Sequence, residues 1–498
     1  MRKFTVAALA CIFPLFTHAA IEAGFAERDI TPEVGMEVPG GYGKSFSKRI
    51  HDPCKVRAAV FGDGKDRVAL VGLDALGVPR DLVLEARAKI AERCGIRPEA
   101  VLVCASHSHS SGPILSVQPG EYDHASDLVK DLAYNKTSCA DPGYLKRVRD
   151  AIADAVVDAD KQRAQGTVSF GRGSEATVAF NRRIRMKNGL SFSHPGKGNP
   201  DNVEFAGPTD PEVGVIAFWN PEGKLVGCVV NFCCHGTANG PWISANWIYY
   251  MERAIQGYYG PDTKVVYLQG ACGDVTQVNN LDPRANPDGD AWSQLVGGRV
   301  GAETVKVLVG MSQTRVTEAP VAALQKIWSI PRRAPSPEHV AAALELAKQD
   351  PKTAGPDWVW AKETVMLDAL IKEHPSVEVE VQAIQVGPVV CISDPSEYFC
   401  QYGLDLKAGS GFPMTFPCEL SNGCAGYVPT EEAFGPHGGG YETRLTAYSN
   451  LEITAGRQFR DVGLELARKL TPAKLAEPPL APPFKQGWSY GNQPPQLK

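Results

Sequence analysis

Short apolar runs that alternate with amphipathic segments constrain the fold of this chain more than any other feature. Two of the segments between the runs, 80–95 and 143–162, have the apolar spacing of helices. This alternation predicts an α/β fold in which mixed β-sheets are flanked by helices. The last run is interrupted at Gly387-Pro388 and predicts an antiparallel hairpin. The strand-like runs cover residues 67–77, 100–106, 214–220, 225–234, 264–270 and 377–393.

The segment 332–375 has a different character and predicts a helical insertion between sheet segments. Ser336 is placed as a helix N-cap with Pro337 at the first helical position, and a second helical pattern follows a Pro/Gly break. A final helix is expected over 454–470, ahead of a proline-rich tail, 472–498, that is expected to be extended. We therefore expect one catalytic-type domain over 21–471.

The first twenty residues, MRKFTVAALACIFPLFTHAA, have the pattern of a secretory signal peptide. A basic start is followed by an apolar stretch and by small residues before Ile21. The apolar stretch is too short to span a bilayer, and no later segment is long enough to do so. The sequence thus predicts export to the periplasm or the extracellular space, without a transmembrane segment.

Cysteine content and net charge indicate which disulfides, metal sites and binding partners to expect. Twelve of the thirteen cysteines follow the signal peptide, so several disulfides are expected in an oxidising compartment, and Cys418 and Cys424 are close enough to staple a loop. No paired CxxC spacing indicates a cysteine-ligated zinc. The formal net charge of −5 and the lack of a long basic run give no basis for nucleic-acid binding.

The stretch VLVCASHSHSSGP, 101–113, carries the first candidate functional residues. An apolar strand runs into a loop that holds His107 and His109 among serines. In an extended segment two side chains at i and i+2 share one face, so both imidazoles could address one metal ion or substrate, with Ser106, Ser108, Ser110 and Ser111 as hydrogen-bond partners. The alternative is a pair of histidines that only satisfy hydrogen bonds at a strand end, and both interpretations stay open at this point.

Three further segments repeat this pattern of an apolar strand that runs into reactive residues. LVGCVVNFCCHGT places His235 after a strand, PVVCISDPSEYF places Glu397 after another, and SNGCAGYVPTEEAF holds Tyr427 in a glycine-rich turn. Taken one by one, a loop histidine, a solvated glutamate and a packing tyrosine are the commoner interpretations. Their combination is more specific than any one of them.

This combination resembles the catalytic N-terminal domain of the neutral/alkaline, non-lysosomal ceramidase family. The motifs that carry the resemblance occur in the family's order from about residue 22 to residue 470. They are GFAERDITP (24–32), SHSHSSGP (106–113), His235-Gly236-Thr237 with ISAN (243–246), LQGACGDV (268–275), DPSEY (394–398) and GYVPT (426–430).

The resemblance implies one Zn²⁺ per chain, held by His107, His235, Glu397 and Tyr427. Two imidazoles, one carboxylate and one phenol leave a coordination position for water, whose pKa zinc lowers towards about 7. The zinc-bound hydroxide would then attack the carbonyl of an N-acyl amide. His109, beside the ligands, is implied as the general base and acid, with a plain hydrogen bond to the ligand shell as its alternative role.

Two further groups match the family's oxyanion-binding side. Tyr441 lies in GGGYETR, and Arg182 lies in FNRRIR, where the sequence does not separate it from Arg183. Surface ion pairing is the alternative for both. Asp274, in the glycine-rich loop, is expected to orient a ligand histidine or the loop itself.

The departures from the family concern the substrate more than the metal. The chain has His-Gly-Thr where a proline is common and DPSE where PGE is common. The loop 114–138 and the insertion 332–375 could reshape the pocket for an N-acyl sugar or N-acyl amino acid instead of ceramide. We therefore expect a zinc amidohydrolase acting on a small-molecule or lipid N-acyl substrate. The alternatives are a zinc esterase, a glycan-directed hydrolase or deacylase, and a non-catalytic binding module.

Overall fold

A computed structural model describes residues 20–237 and 242–498 of the chain. The expected signal peptide, apart from residue 20, lies outside the described residues. The structure confirms the predicted α/β class, with mixed sheets flanked by helices. None of the helices in the described residues is long and apolar enough to cross a bilayer.

The elements follow the predicted alternation closely in the first half of the chain. The strands are β1 (Glu22–Asp29), β2 (Lys55–Gly62), β3 (Arg67–Leu73), β4 (Val101–Ala105), β5 (Ala164–Gln165), β6 (Thr167–Ser174), β7 (Phe180–Asn181), β8 (Arg183–Met186), β9 (Ser191–Ser193), β10 (Asn202–Phe205), β11 (Glu212–Trp219), β12 (Leu225–Phe232), β13 (Lys264–Gln269), β14 (Val275–Thr276), β15 (Val321–Pro331), β16 (Ser376–Val386), β17 (Val389–Ser393), β18 (Glu397–Tyr398), β19 (Met414–Cys418) and β20 (Tyr427–Val428). The helices are α1 (Arg80–Cys94), α2 (Asp127–Lys130), α3 (Pro142–Lys161), α4 (Trp247–Tyr259), α5 (Gly289–Gly310), α6 (Pro337–Ala347), α7 (Pro351–Ala354), α8 (Asp357–Glu373), α9 (Cys400–Gly409) and α10 (Ala455–Ala467).

Three mixed sheets form the centre of the molecule. Their strand orders are β4-β3-β2-β1-β5, β13-β12-β11-β6 and β15-β16-β17-β19. Each sheet contains one parallel pair, β3/β4, β12/β13 or β17/β19, among antiparallel neighbours. The predicted hairpin at Gly387-Pro388 is present as the β16/β17 pair, with Val386 opposite Val389.

The sheets pack against one another, and helices cover their outer faces. One apolar core contains residues of all three sheets, for example Val71, Val266 and Phe416. Helix α3 covers the first sheet and α1 packs against α3, α4 and α5 cover the second sheet, and α9 and α10 the third. Helix α3 begins where the Asp141 carboxylate accepts a hydrogen bond from the Tyr144 amide, a side-chain N-cap that satisfies an otherwise unpaired donor.

The predicted helical insertion lies between the paired strands β15 and β16. It consists of α6, α7 and α8, and α6 begins with Ser336 as its N-cap and Pro337 at its first position. Its apolar face packs on the loop around Tyr122 and Leu132 and forms a separate cluster with it. The insertion and this loop together therefore form one wall of the cavity described below. The tail from 472 onward has no helix or strand and is largely exposed.

The expectation of disulfides is wrong for the described residues. All twelve cysteines after residue 20 are free thiols. Cys233 and Cys400 are neighbours, with their sulfurs 4.0 Å apart and not bonded. Cys418 contacts the Phe416 carbonyl, whereas Cys424 contacts the Tyr448 hydroxyl at 3.4 Å, so the two side chains do not face each other.

Candidate metal centre and cavity

Residues at the ends of β4, β12 and β17 meet at one end of a cavity of about 840 Å³. Because the carboxyl ends of these strands lie together, the reactive residues that follow them in sequence become neighbours in space. His107, His109, Glu397, Tyr427 and Tyr441 all line the cavity. The structure thus brings together the residues that the sequence pattern singled out.

His107 is aimed into the cavity by an unusual backbone conformation. Its φ of 59° lies in the left-handed region, which is costly for a residue with a Cβ. The expected extended segment with both histidines on one face is therefore wrong, and the turn at His107 brings the two rings together. The serines do not contact the rings in the expected way: Ser108 donates to the Ser244 carbonyl and Ser111 to the Ser108 carbonyl.

Three imidazoles share one hydrogen-bonding arrangement. Nδ1 lies 2.7 Å from the Leu76 carbonyl in His107, 3.1 Å from the Gly40 carbonyl in His109 and 3.0 Å from the Val275 carbonyl in His235. A carbonyl only accepts, so each Nδ1 carries a proton, and a ring without a second proton presents a lone pair at Nε2. Burial lowers the pKa of His109 well below its usual value and that of His235 to about 3, which favours these neutral rings.

The Glu397 carboxylate lies between the Nε2 atoms of His107 and His235. Its Oε2 is 3.2 Å from His107 Nε2 and 3.1 Å from His235 Nε2. Burial alone raises the pKa of Glu397, but the neighbouring His107 and His235 hold it well below its usual range. The Tyr448 hydroxyl donates to the other oxygen, Oε1, over 2.7 Å. The sequence did not single out Tyr448, because the stretch 446–450 carries no recognisable motif.

This donor set fits a cation. His107 Nε2 lies 3.1 Å from His109 Nε2 and 3.2 Å from the Glu397 oxygen, distances at which two acceptor atoms need a proton or a metal ion between them. The nearest nitrogens of His107, His109 and His235 all lie within 4.8 Å of one another. Neutral imidazoles with their far nitrogens held by carbonyls, joined by a carboxylate, are the ligands that Zn²⁺ prefers. Two ligand sets thus share His107 and His235: one adds Glu397 and Tyr427, the other adds His109.

Arg182, and not Arg183, faces the site. Its guanidinium is buried and contacts Glu442 Oε1 at 2.8 Å, the Gly273 carbonyl at 2.7 Å and His235 Nε2 at 2.9 Å. It also lies over the rings of Tyr427 and Tyr441, 5.2 and 5.0 Å from their centroids. Arg183 instead donates to the Gly439 carbonyl. A metal ligated by His235 Nε2 would take the place of the Arg182 hydrogen bond to that atom.

The two tyrosines of the site lie edge to face, with their hydroxyl oxygens 3.5 Å apart. Burial raises the pKa of Tyr427 well above its usual value and raises that of Tyr441 as well. Both phenols therefore keep their protons at neutral pH in the absence of a metal.

Asp274 acts on the loop and not on a histidine. Its carboxylate accepts hydrogen bonds from the Cys400 amide at 2.8 Å and from Asn181 Nδ2 at 2.7 Å. Its own carbonyl accepts from the Arg182 amide at 2.8 Å. Of the two expected roles the structure therefore supports the orientation of the loop, while the His235 ring is held by the next residue, Val275.

Comparisons with known proteins bear on this site. A scan against protein-family models finds no match. The neutral ceramidase of Pseudomonas aeruginosa is 24% identical over 307 residues, which cover 57% of this chain and 42% of that protein. The chain resembles the neutral ceramidases. The matched part covers less than half the length of the Pseudomonas aeruginosa protein.

Solved structures of ceramidases share the fold. A ceramidase complexed with C2 superimposes with a TM-score of 0.69 at 17% identity, covering 93% of this chain and 77% of that one. The neutral ceramidase of Pseudomonas aeruginosa gives a TM-score of 0.68 at 18% identity, covering 92% and 76%. The resemblance that the sequence motifs suggested is thus confirmed by sequence and by fold.

Proposed function

We propose that this chain is an exported, zinc-dependent amidohydrolase that cleaves the N-acyl amide bond of ceramide or a related compound. The observation that carries the proposal is the convergence of imidazole Nε2 atoms and a Glu397 oxygen at one end of a large cavity, with each imidazole held by a backbone carbonyl. The similarity to proteins named ceramidases supports the amide as the bond that is cut.

His107, His235, Glu397 and Tyr427 are the proposed ligands of one Zn²⁺ per chain. Zinc in such a site supplies a water-derived nucleophile at neutral pH and polarises the acyl carbonyl. The Leu76 and Val275 carbonyls fix the two rings, and Tyr448 fixes the carboxylate through Oε1. These contacts hold the ligands in place before the ion arrives.

His109 is the proposed general base and acid. Its Nδ1 is tied to the Gly40 carbonyl, so Nε2 is the atom that takes up a proton on the cavity side. The lowered pKa keeps the ring in its neutral form at neutral pH. The proton is then delivered to the leaving amide nitrogen, so that the amine departs neutral.

Arg182 and Tyr441 are the proposed stabilisers of the oxyanion that forms on the acyl oxygen. The ion pair with Glu442 and the bond to the Gly273 carbonyl fix the guanidinium, and the Tyr441 hydroxyl is a second donor at the cavity wall. Donors that are fixed before the reaction stabilise developing charge at no reorganisation cost.

The proposal is tested by incubating the zinc-loaded protein with short- and long-chain ceramides, N-acyl amino acids, N-acyl sugars and matched esters. Products are identified by mass spectrometry. We expect a free amine and a fatty acid from at least one amide, with loss of turnover in His109→Ala and a smaller loss in Tyr441→Phe. Cleavage of esters alone would favour the esterase alternative, and no cleavage by a protein that holds zinc would favour a binding module.

A further inference from the structure

A buried lysine of the helical insertion joins three residues of the cavity wall. Lys362 lies in α8 and has 0% of its surface exposed. Its Nζ lies 2.5 Å from the Tyr42 carbonyl, 2.6 Å from Thr137 Oγ1 and 3.1 Å from Glu363 Oε1, and all three partners line the cavity. An ammonium group has three N–H donors, so these oxygens satisfy it fully. Because burying an ammonium group is costly even when it is paired, the stability of the fold alone gives little reason for a lysine here.

The contact with Tyr42 attaches the glycine-rich loop 40–43 to the insertion. This loop reads Gly-Gly-Tyr-Gly and belongs to no helix or strand, and its glycines give the backbone wide conformational freedom. Contacts from outside the loop therefore decide its conformation. Lys362 binds the main chain of the loop at the Tyr42 carbonyl, and the Tyr42 ring lies edge to face with Trp360 of α8, with the ring centroids 5.0 Å apart. Helix α8 thus holds the loop by its main chain and by a side chain.

The same loop lies directly against the proposed general base. The Gly40 carbonyl is 3.1 Å from His109 Nδ1 and so determines which ring nitrogen carries the proton. A Cβ added to Gly40 would lie 2.6 Å from this Nδ1, so the loop backbone itself packs on the ring. The carbonyl that Lys362 binds and the carbonyl that His109 binds therefore belong to one short turn, two residues apart.

We propose that Lys362 is a positioning residue for the proposed reaction. By holding the Tyr42 carbonyl it holds the loop 40–43, and through the Gly40 carbonyl it holds the His109 ring in place. Lys362 itself touches neither substrate nor metal, since its side chain is closed off from the cavity. A general base must stay within hydrogen-bond reach of the proton that it takes, so a looser ring lowers kcat more than it lowers substrate affinity. This inference rests on the role of His109 in the proposed function, and it makes the helical insertion part of the catalytic apparatus.

Kinetics of Lys362→Met on N-hexanoylsphingosine, a short-chain ceramide, test the positioning role. Methionine removes the three N–H donors and leaves Glu363 without its partner, so Lys362→Met/Glu363→Gln, which has no unpaired carboxylate, is measured beside it. We expect kcat to fall about tenfold in both variants, with KM of Lys362→Met within about twofold and zinc content equal to that of native protein. A raised KM with unchanged kcat, or a loss of zinc in step with kcat, would overturn the positioning role.

Lys407→Met is the matched control for the loss of a largely buried lysine. Lys407 lies in α9 and pairs with Asp210 at 2.6 Å and with Glu212 at 2.9 Å, and none of the three lines the cavity. This variant should lower stability in urea unfolding and keep kcat within about twofold. An equal fall of kcat in Lys362→Met and Lys407→Met would assign the effect to stability alone and overturn the positioning role.

A second variant loosens the same loop from its other side. Ser138 Oγ donates to the Gly43 carbonyl at 3.1 Å, and Ser138→Ala removes this neutral hydrogen bond without leaving a buried charge unpaired. We expect kcat to fall by about two- to fivefold, less than in Lys362→Met, with KM unchanged.

The tautomer of His109 separates this inference from the proposed reaction. Nitrogen NMR of zinc-loaded protein with isotope-labelled histidines distinguishes protonated from unprotonated ring nitrogens, and the His109 signals are those that disappear in His109→Gln. We expect a single tautomer with the proton on Nδ1 in native protein and a mixture of two tautomers in Lys362→Met, because the Gly40 carbonyl is no longer held against the ring. This change of tautomer without turnover of any amide by native protein would sink the reaction alone. Amide turnover with the tautomer unchanged in Lys362→Met would sink the positioning role alone.

Discussion

The Tyr448 hydroxyl is expected to set the metal affinity of the site although it is not a ligand. It donates to Glu397 Oε1 over 2.7 Å, while the other oxygen, Oε2, faces His107 and His235. A hydrogen bond to a charged group contributes about 1.5–3 kcal/mol, which corresponds to a factor of about 10 to 150 in an equilibrium constant. Tyr448→Phe removes this bond and little else, since the hydroxyl has one further contact, to the Cys424 thiol.

The matched control is Tyr398→Phe. Tyr398 is buried beside Glu397 in sequence, but its hydroxyl donates to the Gly456 carbonyl at 2.6 Å, away from the site. Zinc affinity is measured by competition with a chromogenic chelator, and stability by urea unfolding of the metal-free protein. We expect Tyr448→Phe to weaken zinc binding by about 10- to 100-fold, and Tyr398→Phe to leave it within about twofold while lowering stability by about 1 kcal/mol. Equal zinc affinity in both variants would refute this reasoning.

Two further predictions concern stability. Burial raises the pKa of Glu252, but its ion pairs with Arg57 and Lys55 outweigh burial and lower the pKa to about 2. Since the pKa in the folded state lies below the unfolded value, the carboxylate stabilises the fold above pH 4.5. This stabilisation is lost as the pH falls towards 2. The advantage of native protein over Glu252→Gln in urea unfolding, on the order of 3 kcal/mol at pH 7, should therefore shrink between pH 4.5 and 2, and a pH-independent difference would contradict the ion-pair account. Gly426→Ala should lower stability more than Gly411→Ala and should also reduce activity. Both glycines have a φ near +77°, but a Cβ at Gly426 would lie 1.7 Å from the Tyr448 carbonyl, whereas the space at Gly411 is open. Equal midpoints of unfolding for these two variants would show that the loop around Tyr427 accommodates a Cβ at Gly426 with no loss of stability.

Elements with a clear apolar pattern were predictable from the sequence, and elements defined by tertiary contact were not. The runs at 67–77 and 264–270 became β3 and β13 because buried strands need continuous apolar surface. No helix was predicted over 289–310, since Gly297 and Gly301 disfavour one. In the structure these glycines let α5 approach α4 closely: a Cβ at Gly297 would lie 2.0 Å from the Trp247 carbonyl. Packing thus overrides propensity there.

The candidate site shows the same division. His107, His235, Glu397 and Tyr427 were identified as candidate ligands because each lies in a motif that resembles one of the ceramidase family. The carbonyls of Leu76, Gly40 and Val275, which hold the rings, could not be identified from the sequence. Every residue has a carbonyl, and only the fold decides which one meets an imidazole. Arg182 and Arg183 were inseparable because both are arginines and only the fold decides which way each side chain points. The contact of Arg182 with His235 Nε2 shows that Arg182 is the one beside the candidate site.

Measuring the zinc content of native protein, His107→Ala and His109→Ala tests whether His107 is a zinc ligand and His109 the proton carrier. Metal is measured by mass spectrometry on protein loaded with zinc and freed of excess, and turnover is measured on the same samples. We expect about one zinc per chain in native protein, loss of metal and activity in His107→Ala, and retained metal with lost turnover in His109→Ala. Loss of zinc from both variants would show that His109 is a zinc ligand, and an active native protein without zinc would contradict the proposed zinc-dependent reaction.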